Sequence, residues 1–153
     1  MKNNSLSKSF TRYAAIQALY NFNFSENLDD IKKYLTAEKV FFIDSNLEVN
    51  FKKTKMNKNF FLKILDFFCK EKDKIDGFIN LNLSKGWSLE RLPKVQLAIL
   101  RVAITEMMIY PKTSVGIIIS EYIMFTESFY TKKECSFTNA ILEKIYKKLN
   151  ASI

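Results

Sequence analysis

The chain has 153 residues and a net charge of +8, from 24 basic and 16 acidic side chains, and it has no histidine. A chain of this length can hide roughly two thirds of its unfolded surface in one core, so we predict a single domain over residues 1–153. The lack of histidine excludes Ser-His-Asp and Cys-His catalysis and disfavours a catalytic zinc site, so we expect no enzyme, no metal and no cofactor.

The glycines, the first residues and the cysteines indicate which further classes of protein are disfavoured. Gly77, Gly86 and Gly116 are isolated, so no phosphate-binding loop is readable. The first residues lack the apolar run of a signal peptide, and no stretch approaches the ~20 apolar residues of a membrane span. Cys69 and Cys135 form no CxxC pair and are interpreted as reduced thiols. We therefore expect a cytoplasmic protein without a membrane partner, whose positive charge favours a polyanion.

The first third of the chain predicts two helices and a loop. Residues 1–8 are polar and are expected to be flexible, and a first helix is predicted from Ser9 to Asn23. Ser25 is placed to cap a second helix with the sequence NLDDIKKYLTAE, whose early acids suit a helix N-terminus. The segment at 38–58 is interpreted as a loop, because no partner strand is evident. Its lysines at 52, 53, 55 and 58 either are solvated or add nonspecific RNA contacts.

The remainder predicts further helices, so the fold class is all-α. Apolar residues recur at three and four between Asn59 and Asn80, with Gly77 expected to break or bend this helix. KGWSLERLP is a link in which Ser88 caps and Pro93 is tolerated in a first turn. The next helix, KVQLAILRVAITEMMIY, is apolar nearly all round, which is typical of a central helix. The last two helices are predicted at 114–129 and 134–149.

Arg101 lies in the middle of the predicted central helix, where a guanidinium must be paired or must extend to water. Glu106 lies about 140° further around the same helix, so Glu121 in the next helix is the expected partner. We interpret this as a structural ion pair rather than a ligand site.

The first helix carries polar residues that suit a binding surface. Tyr13, Gln17 and Tyr20 fall within an arc of about 60°. Lys8 and Arg12 lie on a neighbouring face four residues apart, where like charges repel unless an anion lies between them. Cations position a single-stranded RNA through its phosphates, while aromatic rings stack on its bases. The alternative is that both tyrosines belong to the core.

Four segments resemble the NusB transcription antitermination family. RYAAIQALYNF resembles that family's opening helix, and RLPKVQLAILRVAITEM resembles its central helix. IISEYI and FTNAILEKI resemble its last two helices, in the same order. The resemblance implies two three-helix bundles and a heterodimer with the ribosomal protein NusE. It also implies that the pair binds boxA RNA, joins the antitermination complex of RNA polymerase and supports ribosomal RNA transcription.

The resemblance also implies site residues. Tyr20 and Phe137 match family positions tied to RNA or partner contact, and Gln96 matches a commonly acidic position that contacts the ribosomal protein. Lys94 lies beside it at the start of the central helix and is added to the predicted partner-binding set. The predicted RNA-binding set is Lys2, Lys8, Arg12, Tyr13, Gln17, Tyr20, Lys133 and Phe137.

The chain departs from the family's pattern at several of these positions. Ser9, Phe10 and Thr11 stand where basic residues are common, which implies fewer phosphate contacts and a shallower salt dependence. Lys133 stands at a site that is often acidic, and Ala140 at one that is usually glycine. Three alternatives to the antitermination role are a helical protein-binding adapter, a homodimer that covers its RNA face, and a stand-alone domain related to RNA cytosine methyltransferases.

Overall fold

The computed structural model describes residues 2–24, 27, 29, 31, 51 and 54–151. Its described part contains five α-helices, a short 3-10 helix and no strand, which confirms the all-α class. The elements are α1 (Lys2–Phe22), α2 (Lys58–Leu81), the 3-10 helix (Leu89–Arg91), α3 (Lys94–Ile109), α4 (Val115–Phe129) and α5 (Lys132–Ala151).

Helix α3 is the centre of the fold. It packs against each of the other four α-helices, so that α1, α2 and α3 form one three-helix group and α3, α4 and α5 form a second. Every residue from Gln96 to Met107 is buried as a result. The predicted central helix is therefore confirmed, and Pro93 directly precedes it.

Helix α1 begins at Lys2 rather than at the predicted Ser9. Leu6 packs against the core, and the hydroxyl of Ser7 donates to the carbonyl of Lys55 at 2.8 Å. Thr11 accepts a hydrogen bond from the backbone N–H of Asn57 at 2.9 Å. These contacts tie the start of α1 to the segment before α2. Flexibility of residues 1–8 stays a prediction, one that these contacts do not favour.

Helix α2 extends one residue beyond each predicted end. The side chain of Asn57 caps it by accepting from the N–H of Phe60 at 3.0 Å. The break expected at Gly77 is wrong: the residue with non-helical angles inside α2 is Glu71, at φ −112° and ψ 19°. Ile75 and Ile79 on either side of Gly77 are fully buried, and their packing accounts for the continuous helix there.

The other predicted boundaries fall close to those observed. Ser114 caps α4 by accepting from the N–H of Ile117 at 3.3 Å, and α5 begins two residues before its predicted start. Ser88 precedes the 3-10 helix without forming a side-chain cap. None of the described helices combines the length and apolar character needed to cross a membrane.

Parts of two earlier predictions fall outside the described residues. The second predicted helix is represented only by residues 27, 29 and 31, and the predicted loop only by residues 51 and 54–58. Phe51 from that loop is buried, with its ring centroid 5.2 Å from that of Phe10. Lys55 and Lys58 are exposed, whereas Lys52 and Lys53 are not described.

Candidate nucleic-acid interface

Arg12, the predicted phosphate-binding arginine, is buried inside the fold. Its Nε and Nη2 donate to the two carboxylate oxygens of Glu106 at 2.8 and 2.7 Å, and its Nη1 donates to Glu121 at 2.6 Å. Only 6% of Arg12 and 2% of Glu106 are exposed. Direct phosphate contact by Arg12 is therefore a wrong assignment in this geometry, because two carboxylates from α3 and α4 already surround the guanidinium.

The hydrogen bonds around Arg12 extend to α4 and back to α1. The hydroxyl of Tyr122 donates to Glu106 at 2.6 Å, and that of Ser9 donates to Glu121. Burial raises the pKa of Tyr122 well above its ordinary value, so the hydroxyl stays protonated as a donor. Burial alone would lower the pKa of Arg12, but the hydrogen bond to Glu106 and nearby negative charge raise it. The network joins α1, α3 and α4 through ion pairs and hydrogen bonds.

Arg101 forms the predicted structural ion pair, but with a different partner. Its Nε and Nη2 donate to the two oxygens of Asp76 in α2, each at 2.9 Å, and its Nη1 donates to Asn23 at 3.2 Å. The prediction of Glu121 is wrong, because that carboxylate is engaged by Arg12. Arg101 therefore joins α3 to α2 and to the end of α1.

Two of the three polar residues on the predicted binding arc of α1 face the interior. Tyr13 is 3% exposed, and its ring centroid lies 5.8 Å from those of both Phe51 and Phe125. Gln17 is 6% exposed, and its Oε1 accepts no hydrogen bond within the described structure. RNA contact by these two side chains does not fit their burial. Tyr20, by contrast, lies at the surface and is half-buried.

Several of the remaining predicted residues meet at a cleft of about 250 Å³ between the 3-10 helix region and α5. The side chains that line it are Ser84, Trp87, Leu92, Pro93, Gln96, Lys133, Glu134 and Phe137. Trp87 is 55% exposed. Lys133 is exposed, and Phe137 is half-buried. The cleft thus combines two accessible rings with a cation, and we call it the aromatic cleft.

Gln96 does not reach outward to a partner as predicted. It is buried, and its amide donates to the carbonyl of Glu134 and to the hydroxyl of Thr138, both at 3.3 Å. It therefore ties α3 to α5 beneath the aromatic cleft. Lys94, two residues earlier, is exposed and remains available at the surface.

Further accessible aromatic side chains form a row between α1 and the connection from α4 to α5. The hydroxyl of Tyr130 lies close to the backbone of Gln96 and to Tyr20. Burial raises the pKa of Tyr130. The rings of Tyr20 and Phe24 pack edge to face at 5.2 Å, and Phe24 is 67% exposed. We call this row the aromatic surface; its members are Tyr20, Phe24, Trp87, Tyr130 and Phe137.

Trp87 was missed in the sequence, and a turn holds it in place. Gly86 has φ +90°, a conformation that side-chain-bearing residues rarely adopt. The N–H of Trp87 donates to the carbonyl of Ser84 at 3.0 Å, and Arg91 donates to that of Gly86 at 3.0 Å. One feature of the sequence could have identified Trp87: it is the only tryptophan of the chain, and it follows a glycine in a polar link between helices.

The aromatic surface has the chemistry needed to hold an unpaired strand. Exposed rings stack on bases, and a lysine contacts phosphate. The neighbouring Glu134 also lines the cleft, and its Oε1 accepts from the N–H and hydroxyl of Thr131 at 3.0 and 2.6 Å. Within the described ranges no cluster of acids or cysteines is suited to a metal. The side chain of Lys2 lies outside the described part, and its predicted role stays a prediction.

Comparisons with known proteins all lead to one family. The NusB family model matches residues 9–147. The transcription antitermination protein NusB of Novosphingobium aromaticivorans is 28% identical over 92% of this chain and 93% of its own length. The protein of the same name from Caldicellulosiruptor saccharolyticus is 30% identical over 85% of this chain and 94% of its own.

Two solved structures share the fold. NusB of T. maritima superposes with a TM-score of 0.73 at 23% identity, covering 92% of this chain and 90% of the other. A chain from a complex of the antitermination factors NusB and NusE with double-stranded RNA gives a TM-score of 0.73 at 21% identity. That match covers 93% of this chain and 97% of the other.

Proposed function

Because this chain belongs to the NusB family, we propose that it is a transcription antitermination factor that binds boxA-type RNA as a heterodimer with the ribosomal protein NusE. In this role it supports ribosomal RNA transcription as part of the antitermination complex of RNA polymerase. The family relatives named as antitermination proteins support the proposal, and so does the solved complex of NusB and NusE with RNA.

The aromatic surface is the observation that carries the RNA-binding part of the proposal. Trp87 and Phe24 expose more than half of their area to solvent, so their rings are accessible to a base that stacks on them. A base stacked on such a ring contributes roughly 1–3 kcal/mol. Lys133 beside Phe137 adds a phosphate contact at the cleft. The exposed rings favour a single strand with splayed bases, because the bases of a duplex are already stacked on one another.

The partner is proposed to dock next to the same surface. Lys94 is exposed in the first turn of α3. It follows Pro93, which lines the aromatic cleft. We assign the partner contact to Lys94, because the side-chain amide of Gln96 is already hydrogen-bonded to α5. Partner and RNA bound side by side convert two weak contacts into one stronger assembly through effective concentration.

We propose that the protein acts by binding alone and acts in the cytoplasm, where transcription takes place. The three acids that pair with buried arginines have structural roles: Glu106 and Glu121 bind Arg12, and Asp76 binds Arg101. The chain has no histidine for acid–base chemistry. Its action is therefore to hold RNA near the polymerase.

The experiment measures binding of boxA-like and scrambled RNA by fluorescence anisotropy, with and without NusE. Trp87→Ala and Tyr20→Ala are each expected to weaken binding by about 1–3 kcal/mol, roughly 5- to 150-fold. Since Trp87 is the only tryptophan, its fluorescence should change when RNA stacks on it. The control is Leu81→Ala, which removes an apolar side chain that is 80% exposed and lies outside the aromatic surface.

Two results would contradict the proposal. Equal affinity for boxA-like and scrambled RNA, with no gain from NusE, rules out the antitermination role. The aromatic cleft is removed from the RNA site if folded Trp87→Ala protein keeps the wild-type RNA affinity and if the tryptophan fluorescence of the wild-type protein does not change on RNA addition.

A further inference from the structure

A second and larger cleft opens between α1, α2 and the connection from α3 to α4. Its volume is about 800 Å³, and it shares no lining residue with the aromatic cleft. Three lysines line it, each from a different part of the fold: Lys8 from α1, Lys63 from α2 and Lys112 from the α3–α4 connection. All three are exposed. We call it the basic cleft.

Among the described residues, no carboxylate pairs with the lysines of the basic cleft. None of the three lysines forms an ion pair with a carboxylate of the described residues. The one acid among the lining residues is Glu106, and both of its oxygens accept hydrogen bonds from Arg12. The acid at the floor of the cleft is thus engaged by Arg12, while the walls carry three exposed lysines that pair with no carboxylate in the described part of the chain.

The surroundings keep the cleft positive and hold one of its cations in position. The ammonium of Lys63 lies 5.2 Å from the ring centroid of Tyr110, a cation–π contact that keeps it at the rim. The N-caps of α2 and α4, Asn57 and Ser114, also line the cleft. Neither helix has an acid in its first turn to offset the positive end of its dipole. A concave surface with such walls focuses a positive potential that attracts anions.

We propose that the basic cleft binds phosphate groups and that, resting on the proposed function, it takes backbone phosphates of the RNA whose bases lie on the aromatic surface. Lys8 and Tyr20 belong to the same helix and are separated by about 18 Å along its axis. An RNA strand that reaches from Tyr20 to Lys8 contacts both the aromatic surface and the basic cleft. A short oligonucleotide that covers the aromatic surface does not reach Lys63 and Lys112.

The first test compares the salt dependence of binding for a short and a long RNA. The variant Lys63→Gln/Lys112→Gln is expected to lower the slope of log affinity against log salt by about 1.4 for the long RNA, at ~0.7 per phosphate contact. Its slope for the short RNA should equal that of the wild type. The matched control is Lys70→Gln/Lys74→Gln, which removes the same charge from exposed positions of α2 outside both clefts.

The second test does not depend on RNA binding. Pyrophosphate is titrated into the wild-type protein and the two double variants, and the backbone amides are followed by NMR. We expect shifts confined to the amides around Asn59, Lys63 and Lys112, retained in the control variant and lost in Lys63→Gln/Lys112→Gln.

The two tests separate this inference from the proposed function. Pyrophosphate shifts in a protein that binds no RNA support the phosphate site and contradict the proposed function. Pyrophosphate shifts with equal RNA slopes in the two double variants support the site but overturn its role in RNA binding. Equal slopes together with no shifts in the basic cleft overturn the inference, even if Trp87→Ala still weakens RNA binding.

Discussion

Replacing Arg12 with alanine should destabilise the fold rather than simply weaken RNA binding. The substitution removes two hydrogen bonds from Glu106 and leaves its carboxylate with the hydroxyl of Tyr122 as its remaining donor. The side chain of Glu106 is 2% exposed in the wild type, and water that enters the space left by Arg12 replaces hydrogen bonds but not the lost positive charge. An uncompensated buried charge of this kind costs about 3–5 kcal/mol, a large fraction of the ~5–15 kcal/mol that stabilises a typical domain.

The free energy of unfolding is measured by urea denaturation followed by circular dichroism. At roughly 2–4 °C per kcal/mol for a chain of this size, the melting temperature of Arg12→Ala should fall by about 6–20 °C. Lys8→Ala is the matched control, since it removes an exposed cation one turn earlier on α1 and should change stability by less than about 0.5 kcal/mol. Adding Glu106→Gln to Arg12→Ala should recover part of the loss, because the buried charge is gone.

The reasoning fails if Arg12→Ala unfolds at the wild-type urea concentration. A second result would also contradict it: Arg12→Ala protein of wild-type stability that binds every RNA more weakly, with a smaller dependence of the affinity on salt concentration. The guanidinium would then contact phosphate, and its pairing with Glu106 would not hold in solution.

Three further predictions follow from single contacts. Asp76→Ala leaves Arg101 with only Asn23 and should cost about 3–5 kcal/mol in urea unfolding; a loss below 1 kcal/mol would contradict the buried pair. Gly86→Ala places a Cβ at φ +90° and should cost about 1–2 kcal/mol with altered tryptophan fluorescence, whereas wild-type stability and spectrum would argue against that turn. Asn57→Ala removes the cap of α2 and should cost ~1 kcal/mol, unless stability is unchanged, in which case the cap contributes nothing.

Much of the fold could be predicted from local pattern. Helix α3 has apolar residues on every side, and a helix with that composition is stable only when neighbours surround it; the structure places four helices around it. The ends of α2 and α4 fall where Asn57 and Ser114 can cap them, within one residue of the prediction. Helix α1 starts earlier than predicted because its first turns are held by Lys55 and Asn57, which are far away in sequence.

The candidate site was less predictable, because side-chain burial depends on neighbours that a helical wheel does not contain. Tyr13 and Tyr20 lie on similar sides of α1, yet Tyr13 packs between Phe51 and Phe125 while Tyr20 remains at the surface. Hydrophobic periodicity could not predict the exposure of Trp87, because this residue lies in a link between two helices. Its accessibility follows from the turn at Gly86.

The sequence by itself therefore determined the helices that the structure describes, the central position of α3, the family and the need for Arg101 to find an acid. Local spacing and composition are sufficient for these, since they depend on residues within a few turns of one another. Only the tertiary structure decided that Arg12 is buried as well, and which acids the two arginines bind. Arg12 pairs with Glu106 and Glu121, and Arg101 pairs with Asp76. Those partners come from other helices, and packing alone brings them within hydrogen-bond distance. By drawing Arg12 inward, the same packing leaves Lys8, Lys63 and Lys112 as the cations that face solvent in the basic cleft.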